Sequence, residues 1–201
     1  MSDMKKSLLL IPAICLFAAN VQAADVKPYV SAKAKYANIW AQEEQKKPFH
    51  TKNHLSDNVF GYNLAAGAGV KMENGILRFE LDYTSNEDGE KMIAADKIEI
   101  KSRAIFGNAY FDIDTNSAFR PYLGFGLGGS KVKIGDKSVS KFAYQYSAGV
   151  SYLFNDNTAV DLGYRATSYA DFEEERKGVF PRKVDYKVYG NELTLGVRFS
   201  F

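Results

Sequence analysis

Two histidines are the side chains in this sequence best suited to metal binding or acid–base chemistry. His50 and His54 lie four residues apart, with Asp57 close behind, in a polar stretch. A metal site normally needs three or four converging ligands, and a flexible connection supplies them poorly. The chain also lacks Gly-x-Ser-x-Gly and His-Glu-x-x-His segments. We therefore expect solvated histidines, with no catalytic residue, no metal and no cofactor.

Charged residues at alternate positions form a second group of candidates. Arg78, Glu80 and Asp82 are separated by apolar residues, and other segments repeat this spacing. Successive side chains of a strand point to opposite faces, so each such group would share one face. The question is then which strands position these charges, and what those faces meet.

The N-terminal segment of the chain indicates export. Lys5 and Lys6 precede an apolar run over 8–19 and a small-residue site at Val21-Gln22-Ala23, which predicts a signal peptide over 1–23 cleaved after Ala23. The single cysteine, Cys15, lies within it, so the mature chain (24–201) would have no thiol chemistry. With 26 basic and 24 acidic residues, the balanced charge gives no indication of a nucleic-acid partner. No later apolar run is long enough for a transmembrane helix.

Period-two patterning recurs along the mature chain and predicts eight strands. Short turns are expected at 73–75, near 114–116 and at 155–157, and long connections at 41–57, 86–96, 132–140 and 170–185. This alternation is typical of an all-β, eight-stranded antiparallel up-and-down transmembrane barrel, with both mature termini on the short-turn, periplasmic side. The predicted strands are 27–40, 58–71, 76–85, 97–111, 119–131, 141–154, 158–169 and 186–201.

Side-chain volume decides which face lies outside. A soluble, lipocalin-like barrel would place the apolar face inside, but an eight-stranded interior is just wide enough for ordinary side chains. The apolar face has too many rings to fit, so it should meet lipid, and rings near strand ends (Tyr110, Phe154, Phe199 and Phe201) should form an interface girdle. The predicted lipid-facing rings are Phe79, Tyr83, Phe106, Tyr110, Phe125, Tyr144, Tyr146, Tyr152, Phe154, Tyr164, Phe199 and Phe201.

The opposite face is glycine-rich and charged, and it should line the lumen. Buried charges need partners. Glu80 with Arg103 and Asp82 with Lys101 would pair in one register, since cross-strand neighbours lie about 5 Å apart. We therefore expect a lumen plugged by ion pairs. The predicted ion-pair residues are Arg78, Glu80, Asp82, Glu99, Lys101, Arg103, Asp161, Arg165, Glu192 and Arg198, with Lys33 and Lys35 on the same face.

Four segments resemble the small outer-membrane β-barrels, a porin-family group that includes the OmpA transmembrane domain and the neisserial opacity proteins. They are Arg120-Pro-Tyr-Leu-Gly-Phe-Gly-Leu-Gly128, Tyr146-Ser-Ala-Gly-Val-Ser-Tyr152, Asp161-Leu-Gly-Tyr-Arg165 and Gly196-Val-Arg-Phe-Ser-Phe201. The resemblance implies residence in the bacterial outer membrane, among its lipid and lipopolysaccharide. It also implies that Phe201, with Phe199, forms the C-terminal signal read by the barrel-assembly machinery.

The resemblance leaves the function open among three hypotheses. The first is a non-enzymatic surface antigen, adhesin-like or envelope-structural barrel whose outer loops bind a host or environmental ligand or lipopolysaccharide. The charged stretches at 43–52 and 171–183 are candidates for that contact, although such clusters are usually just solvated. The second is a narrow porin for ions or small solutes. The remote third is a lipid A-modifying enzyme, which the absence of histidine from every predicted strand disfavours.

Overall fold

The protein consists of ten β-strands, seen in a computed structural model that describes residues 26–46, 52–87, 91–93, 96–98, 100–134, 137–176 and 182–201. The predicted signal peptide and its cleavage site at Ala23 lie outside these residues. In the described part of the chain, no helix is long and apolar enough to cross a membrane. The strands are β1 (Val26–Lys46), β2 (Lys52–Met72), β3 (Gly75–Glu87), β4 (Lys91–Ile93), β5 (Asp96–Ile98), β6 (Ile100–Ile113), β7 (Phe119–Ile134), β8 (Lys137–Leu153), β9 (Thr158–Arg176) and β10 (Arg182–Ser200).

Eight of these strands close into a barrel in the order β1-β10-β9-β8-β7-β6-β3-β2, and β4 pairs only with β5. Every neighbouring pair is antiparallel, including the closing pair, in which Val30 faces Phe199 and Tyr36 faces Leu193. The predicted eight-stranded up-and-down barrel is therefore confirmed. Closure leaves no open sheet edge, and a membrane does not tolerate one.

The short connections follow from local turn chemistry. Glu73 and Asn74 form a two-residue turn between Met72 and Gly75. In the next turn, Asn116 has a positive φ of 54° and donates its backbone N–H to Asp114 Oδ1 at 3.1 Å. In the third, Asn155 Oδ1 accepts from the backbone of Asn157 and Thr158 at 2.9 and 2.8 Å. Asparagine and aspartate suit these positions because their side chains satisfy nearby backbone groups.

The long connections are largely strand rather than loop. β1 and β2 each contain 21 residues, whereas about 9–11 tilted residues suffice to cross a bilayer. Pairing continues to Glu44 opposite Lys52, so His54 and Asp57 lie in β2 and not in the predicted loop. His50 lies outside the described residues. The strands extend because inter-strand hydrogen bonding continues past the membrane, and local polarity does not interrupt it.

The outer wall is apolar and the interior is polar, in agreement with the volume argument. Leu123, Phe79 and Leu195 are 63, 54 and 57% exposed, whereas Asp82, Gln145 and Ser151 are completely buried. A band of exposed aliphatic and aromatic residues encircles the barrel, as lipid contact requires.

The predicted faces of β6 are wrong. The sequence predicts that Phe106 and Tyr110 face lipid, with Tyr110 in the girdle, and that Arg103 faces the lumen. Phe106 and Tyr110 instead lie inside, 0 and 2% exposed, whereas Arg103 lies outside. The two rings point inward because glycines on the neighbouring strand β7 leave space for them. A Cβ at Gly124 would lie 2.3 Å from the Tyr110 ring, and a Cβ at Gly128 would lie 2.8 Å from Phe106. Gly124 and Gly128 thus accommodate two inward rings.

We expect Gly124→Val to lower the free energy of unfolding by about 1–3 kcal/mol, because the new side chain overlaps the Tyr110 ring in a filled lumen. Gly129→Val is the matched control on the same strand. Gly129 is exposed, and the nearest atom to its added Cβ is the Lys141 carbonyl oxygen at 4.0 Å. Urea unfolding in lipid vesicles, followed by heat-modifiable gel mobility, measures both. Equal stability of the two variants would contradict the assigned faces.

Candidate functional site

Among the residues that the structure describes, the lumen holds ten buried Lys, Arg, Asp and Glu side chains of balanced charge. Five are basic and five are acidic, and each is at most 7% exposed. Isolated charges cost several kcal/mol each to bury, so the balance is a condition for filling the lumen this way. The basic residues are Lys33, Lys35, Arg78, Arg165 and Arg198, and the acidic residues are Glu80, Asp82, Asp112, Asp161 and Glu192.

Asp112 is the centre of the cluster nearest the short turns. Arg78 donates to it from Nε and Nη2, with its shortest contacts at 2.8 Å, and Arg198 Nη1 lies 3.3 Å from the same carboxylate. Arg198 also reaches Asp161 Oδ1 at 3.3 Å and Ser151 Oγ at 3.2 Å. One carboxylate on β6 thus connects β3 and β10 across the lumen. Bidentate guanidinium–carboxylate contacts of this kind are among the strongest side-chain hydrogen bonds.

Three tyrosines surround the Arg78 guanidinium. Its carbon lies 4.7 Å from the ring centre of Tyr110, 5.4 Å from that of Tyr122 and 5.8 Å from that of Tyr29. A cation over an aromatic face is attracted by the ring quadrupole, more strongly where water is excluded. The inward rings therefore stabilise the charge network as well as filling space.

Glu80 connects this cluster to the middle of the lumen. It accepts hydrogen bonds from the Tyr29 hydroxyl at 3.0 Å and from Lys33 Nζ at 3.3 Å. The Tyr110 hydroxyl lies 3.5 Å away, and Arg78 Nη1 is 4.0 Å from its other oxygen. Donors from two other strands, β1 and β6, and from β3 itself therefore converge on one carboxylate.

The part of the lumen nearest the long connections contains two further ion pairs. Arg165 Nη2 lies 3.0 Å from Asp82 Oδ2, and Lys35 Nζ lies 3.3 Å from Glu192 and 2.7 Å from Thr84 Oγ1. Tyr169 donates its hydroxyl to Glu192. Tyr169 stands at a β-bulge, where the pairing of β9 with β10 shifts by one residue. Bulges often redirect a side chain, and this one turns a ring inward above the Lys35–Glu192 pair.

At the short-turn end, the Asp112 cluster lines a cavity of about 390 Å³. Arg78, Asp112 and Arg198 contribute to its wall, together with the exposed Lys27 and Lys71. The cavity therefore ends at the ion pairs. Among the described residues, no group of three or more His, Cys, Asp or Glu side chains is arranged to hold a metal ion.

The structure brings together seven of the ten predicted ion-pair residues, with different partners. Arg103 is exposed, so its predicted pair with Glu80 is wrong, and Asp82 pairs with Arg165 rather than with Lys101. The register explains both results, since Glu80 faces Asn108 and Asp82 faces Phe106. The side chains of Glu99 and Lys101 lie outside the described residues. The seven are Arg78, Glu80, Asp82, Asp161, Arg165, Glu192 and Arg198.

Sequence reasoning missed Asp112, the most connected carboxylate of its cluster. The signal was present, because Asn108 and Asp112 have the same parity as Tyr110 and so place two polar residues on that face of β6. The Phe106 and Tyr110 rings on the same face concealed it.

The outer-membrane protein β-barrel domain family matches residues 7–201 of the chain. The chain belongs to this family. It is therefore a protein of the bacterial outer membrane, and the expected resemblance is confirmed.

Individual outer-membrane proteins are similar to this chain over nearly their whole length. The chain is 21% identical over 237 aligned residues to outer membrane protein PagN of Salmonella typhimurium, covering 97% of this chain and 98% of that protein. Neisserial surface protein A is 24% identical, with a TM-score of 0.58 over 87% of this chain and 97% of its own. OprG of Pseudomonas aeruginosa is 14% identical, with the same TM-score over 87% of this chain and 96% of its own. The two solved structures support the shared fold.

We expect Asp112→Asn to lower the free energy of unfolding by about 3–5 kcal/mol, because it leaves two buried guanidinium groups short of a countercharge. Asp114→Asn is the matched control. Asp114 is partly exposed and lies 3.9 Å from Arg120, and a solvent-exposed pair contributes about 0–1 kcal/mol. Urea titration of the two variants in lipid vesicles separates them. A loss in Asp112→Asn no larger than in the control would show that Asp112 does not hold the cluster together.

Proposed function

We propose that this protein is a non-enzymatic outer-membrane barrel with a lumen closed by ion pairs, and that its outer end presents the binding surface. The observation that supports this most directly is the charge balance of the described part of the lumen, five basic residues against five acidic ones. The barrel then serves as a scaffold, with an adhesin-like, surface-antigen or envelope-structural role.

The closed lumen is favoured over a narrow porin by how the pairs are placed. They occur at successive depths, from Arg78–Asp112 through Lys33–Glu80 to Lys35–Glu192. A permeating ion would have to separate partners at each depth, and breaking one partner out of a buried pair costs about 3–5 kcal/mol. Side chains already fill an eight-stranded interior without a channel.

We expect purified protein in planar bilayers to give no stable conductance, because the ion pairs obstruct the lumen at several depths. Single-channel recording measures this, with a general porin in the same bilayer as the positive control. Steady openings comparable to those of the porin would support the transport hypothesis and refute the closed lumen.

The outer end is where the proposed binding surface lies. The four longest strands, β9, β10, β1 and β2, contain 19 to 21 residues and are neighbours in the barrel. Together they form a continuous wall beyond the membrane-crossing portion on the side of the long connections. Binding functions commonly occupy variable connections on a rigid scaffold. We propose that this wall and its connections contact lipopolysaccharide and a host or environmental ligand.

The proposed orientation places the short turns and both mature termini in the periplasm, after cleavage at Ala23. β10 ends there with two outward rings, Phe199 and Phe201, which are 45 and 66% exposed and 5.3 Å apart. The Phe201 amide donates to the Pro28 carbonyl at 3.0 Å. An exposed aromatic at the end of the closing strand is consistent with the proposed recognition by the barrel-assembly machinery.

We expect deletion of Phe201 to reduce the amount of heat-modifiable, folded protein in the outer membrane several-fold, because the C-terminal residue of the recognised strand is lost. Phe154→Ala is the matched control, since Phe154 is a similarly exposed ring at the short-turn end, 72% accessible, directly after the end of β8. If the deletion and the control give the same folded yield, Phe201 is simply an interface aromatic.

A further inference from the structure

Two basic residues face each other on the outer wall of the barrel. Arg103 of β6 and Lys131 of β7 are direct register partners, and both are exposed. Like charges placed opposite each other across strands are destabilising. Within the described part of the chain, neither residue has an ion-pair or hydrogen-bond partner. The pair is therefore a concentration of positive charge that an external anion would relieve.

The pair lies at the edge of the apolar band, on the side of the long connections. Ile105 follows Arg103 by two residues on the same face and is 54% exposed, and Leu127 on β7 is 47% exposed. Phe142 on β8, 66% exposed, is the register partner of Gly129. Cations just beyond a band of aliphatic and aromatic residues are at the depth of lipid headgroups.

A groove lies below the pair on the same two strands. Its floor is formed by Gly107 and Ala109 of β6, and its sides by Phe79 and Leu81 of β3 and by Phe125 and Leu127 of β7. The register places Gly107 between Leu81 and Leu127, and Ala109 between Phe79 and Phe125. Two small residues thus form a furrow of about 390 Å³ between two bulky rows. Its floor begins four residues from Arg103, or about 13 Å along the strand.

We propose that this surface binds lipid A of the outer leaflet, with a phosphate between Arg103 and Lys131 and an acyl chain in the Gly107–Ala109 groove. Guanidinium and ammonium groups are strong donors to phosphate oxygens. The groove presents only apolar side chains to the lipid, which suits a hydrocarbon chain. The cationic pair and the apolar groove together match an amphiphile that has both a phosphate group and acyl chains. The inference rests on the proposed orientation, in which the long strands point outward.

The experiment titrates purified, folded protein in zwitterionic detergent with bisphosphorylated lipid A and follows the bound fraction by native mass spectrometry. We expect the Arg103→Gln, Lys131→Gln double variant to bind about tenfold more weakly, as the loss of one charge-assisted contact to phosphate suffices for that change. Gly107→Val should also weaken binding by filling the groove. Its added Cβ has no neighbour nearer than the Leu127 carbonyl oxygen at 3.9 Å, so the fold should tolerate it.

The matched control is the Lys27→Gln, Lys71→Gln double variant, which removes two exposed charges at the short-turn end. Unchanged binding in this control, together with weaker binding in the Arg103 and Lys131 variant, supports the site. Equal binding by wild type and that variant, or an equal loss in the control, overturns it. Equal competition by phosphatidylglycerol would overturn the assignment to lipid A.

A separate measurement tests the orientation. Lys131→Cys should react with a membrane-impermeant maleimide on intact cells, since the predicted mature chain contains no other cysteine. Labelling only after the cells are opened would refute the orientation whether or not the purified protein binds lipid A. The failure of the site and the failure of the proposed function are therefore distinguishable.

Discussion

Hydrogen bonding between the first and last strands is the constraint on which the rest of this structure depends. In a bilayer, unpaired backbone groups find no water, so a sheet that crosses it must close on itself. β10 meets β1 along almost its whole length, from Lys183 opposite Lys46 to Ser200 opposite Tyr29. Once eight strands close, the interior has a fixed, narrow radius. The composition of both faces follows from that radius.

Because the barrel is closed and narrow, polar side chains must pack against one another to fill its lumen. Most rings must point to lipid, so the interior is filled by charged, amide and hydroxyl groups, with a few tyrosines and one phenylalanine. Charged side chains in that space require that positive and negative charges balance and that each charge lies close to a partner of opposite sign. The Asp112 cluster, the Glu80 hub and the Lys35–Glu192 pair meet both conditions with donors from several strands. A network of this kind helps to fix the register, because a slip of one residue would turn each partner to the lipid.

The sequence was sufficient for the architecture and for most lumen charges, and it failed where two local signals disagreed. Strands such as β8 and β10 alternate cleanly, and their faces were predicted correctly. β6 has bulky apolar residues on both faces, so hydrophobicity alone assigned it wrongly. Space on β7 decides the outcome, because Gly124 and Gly128 receive Tyr110 and Phe106. The pairing of one strand's large residues with another's glycines is a property of the register, and register is not visible in either segment alone. The full lengths of β1 and β2 are likewise not predictable from either segment alone. Hydrogen bonds between the strands continue through polar residues, so both strands extend into segments whose polarity predicts loops.

The barrel has a lipid-facing wall, a lumen, and an outer rim formed by the parts of the strands beyond the bilayer. These three regions differ in how freely their residues can serve a specific function. Lipid restricts the wall to apolar residues, and neutrality restricts the lumen, so polar substitutions in the wall and charge-changing substitutions in the lumen are costly to the fold. The portion of the strands beyond the bilayer is under neither restriction. It is also where the chain departs from minimal design, since β1, β2, β9 and β10, with 19 to 21 residues, are about twice the length needed to cross. Fold alone does not specify function. The physical constraints leave the outer rim as the region open to specific function, and exposed charges there, such as Arg103 and Lys131, have no partners within the described structure.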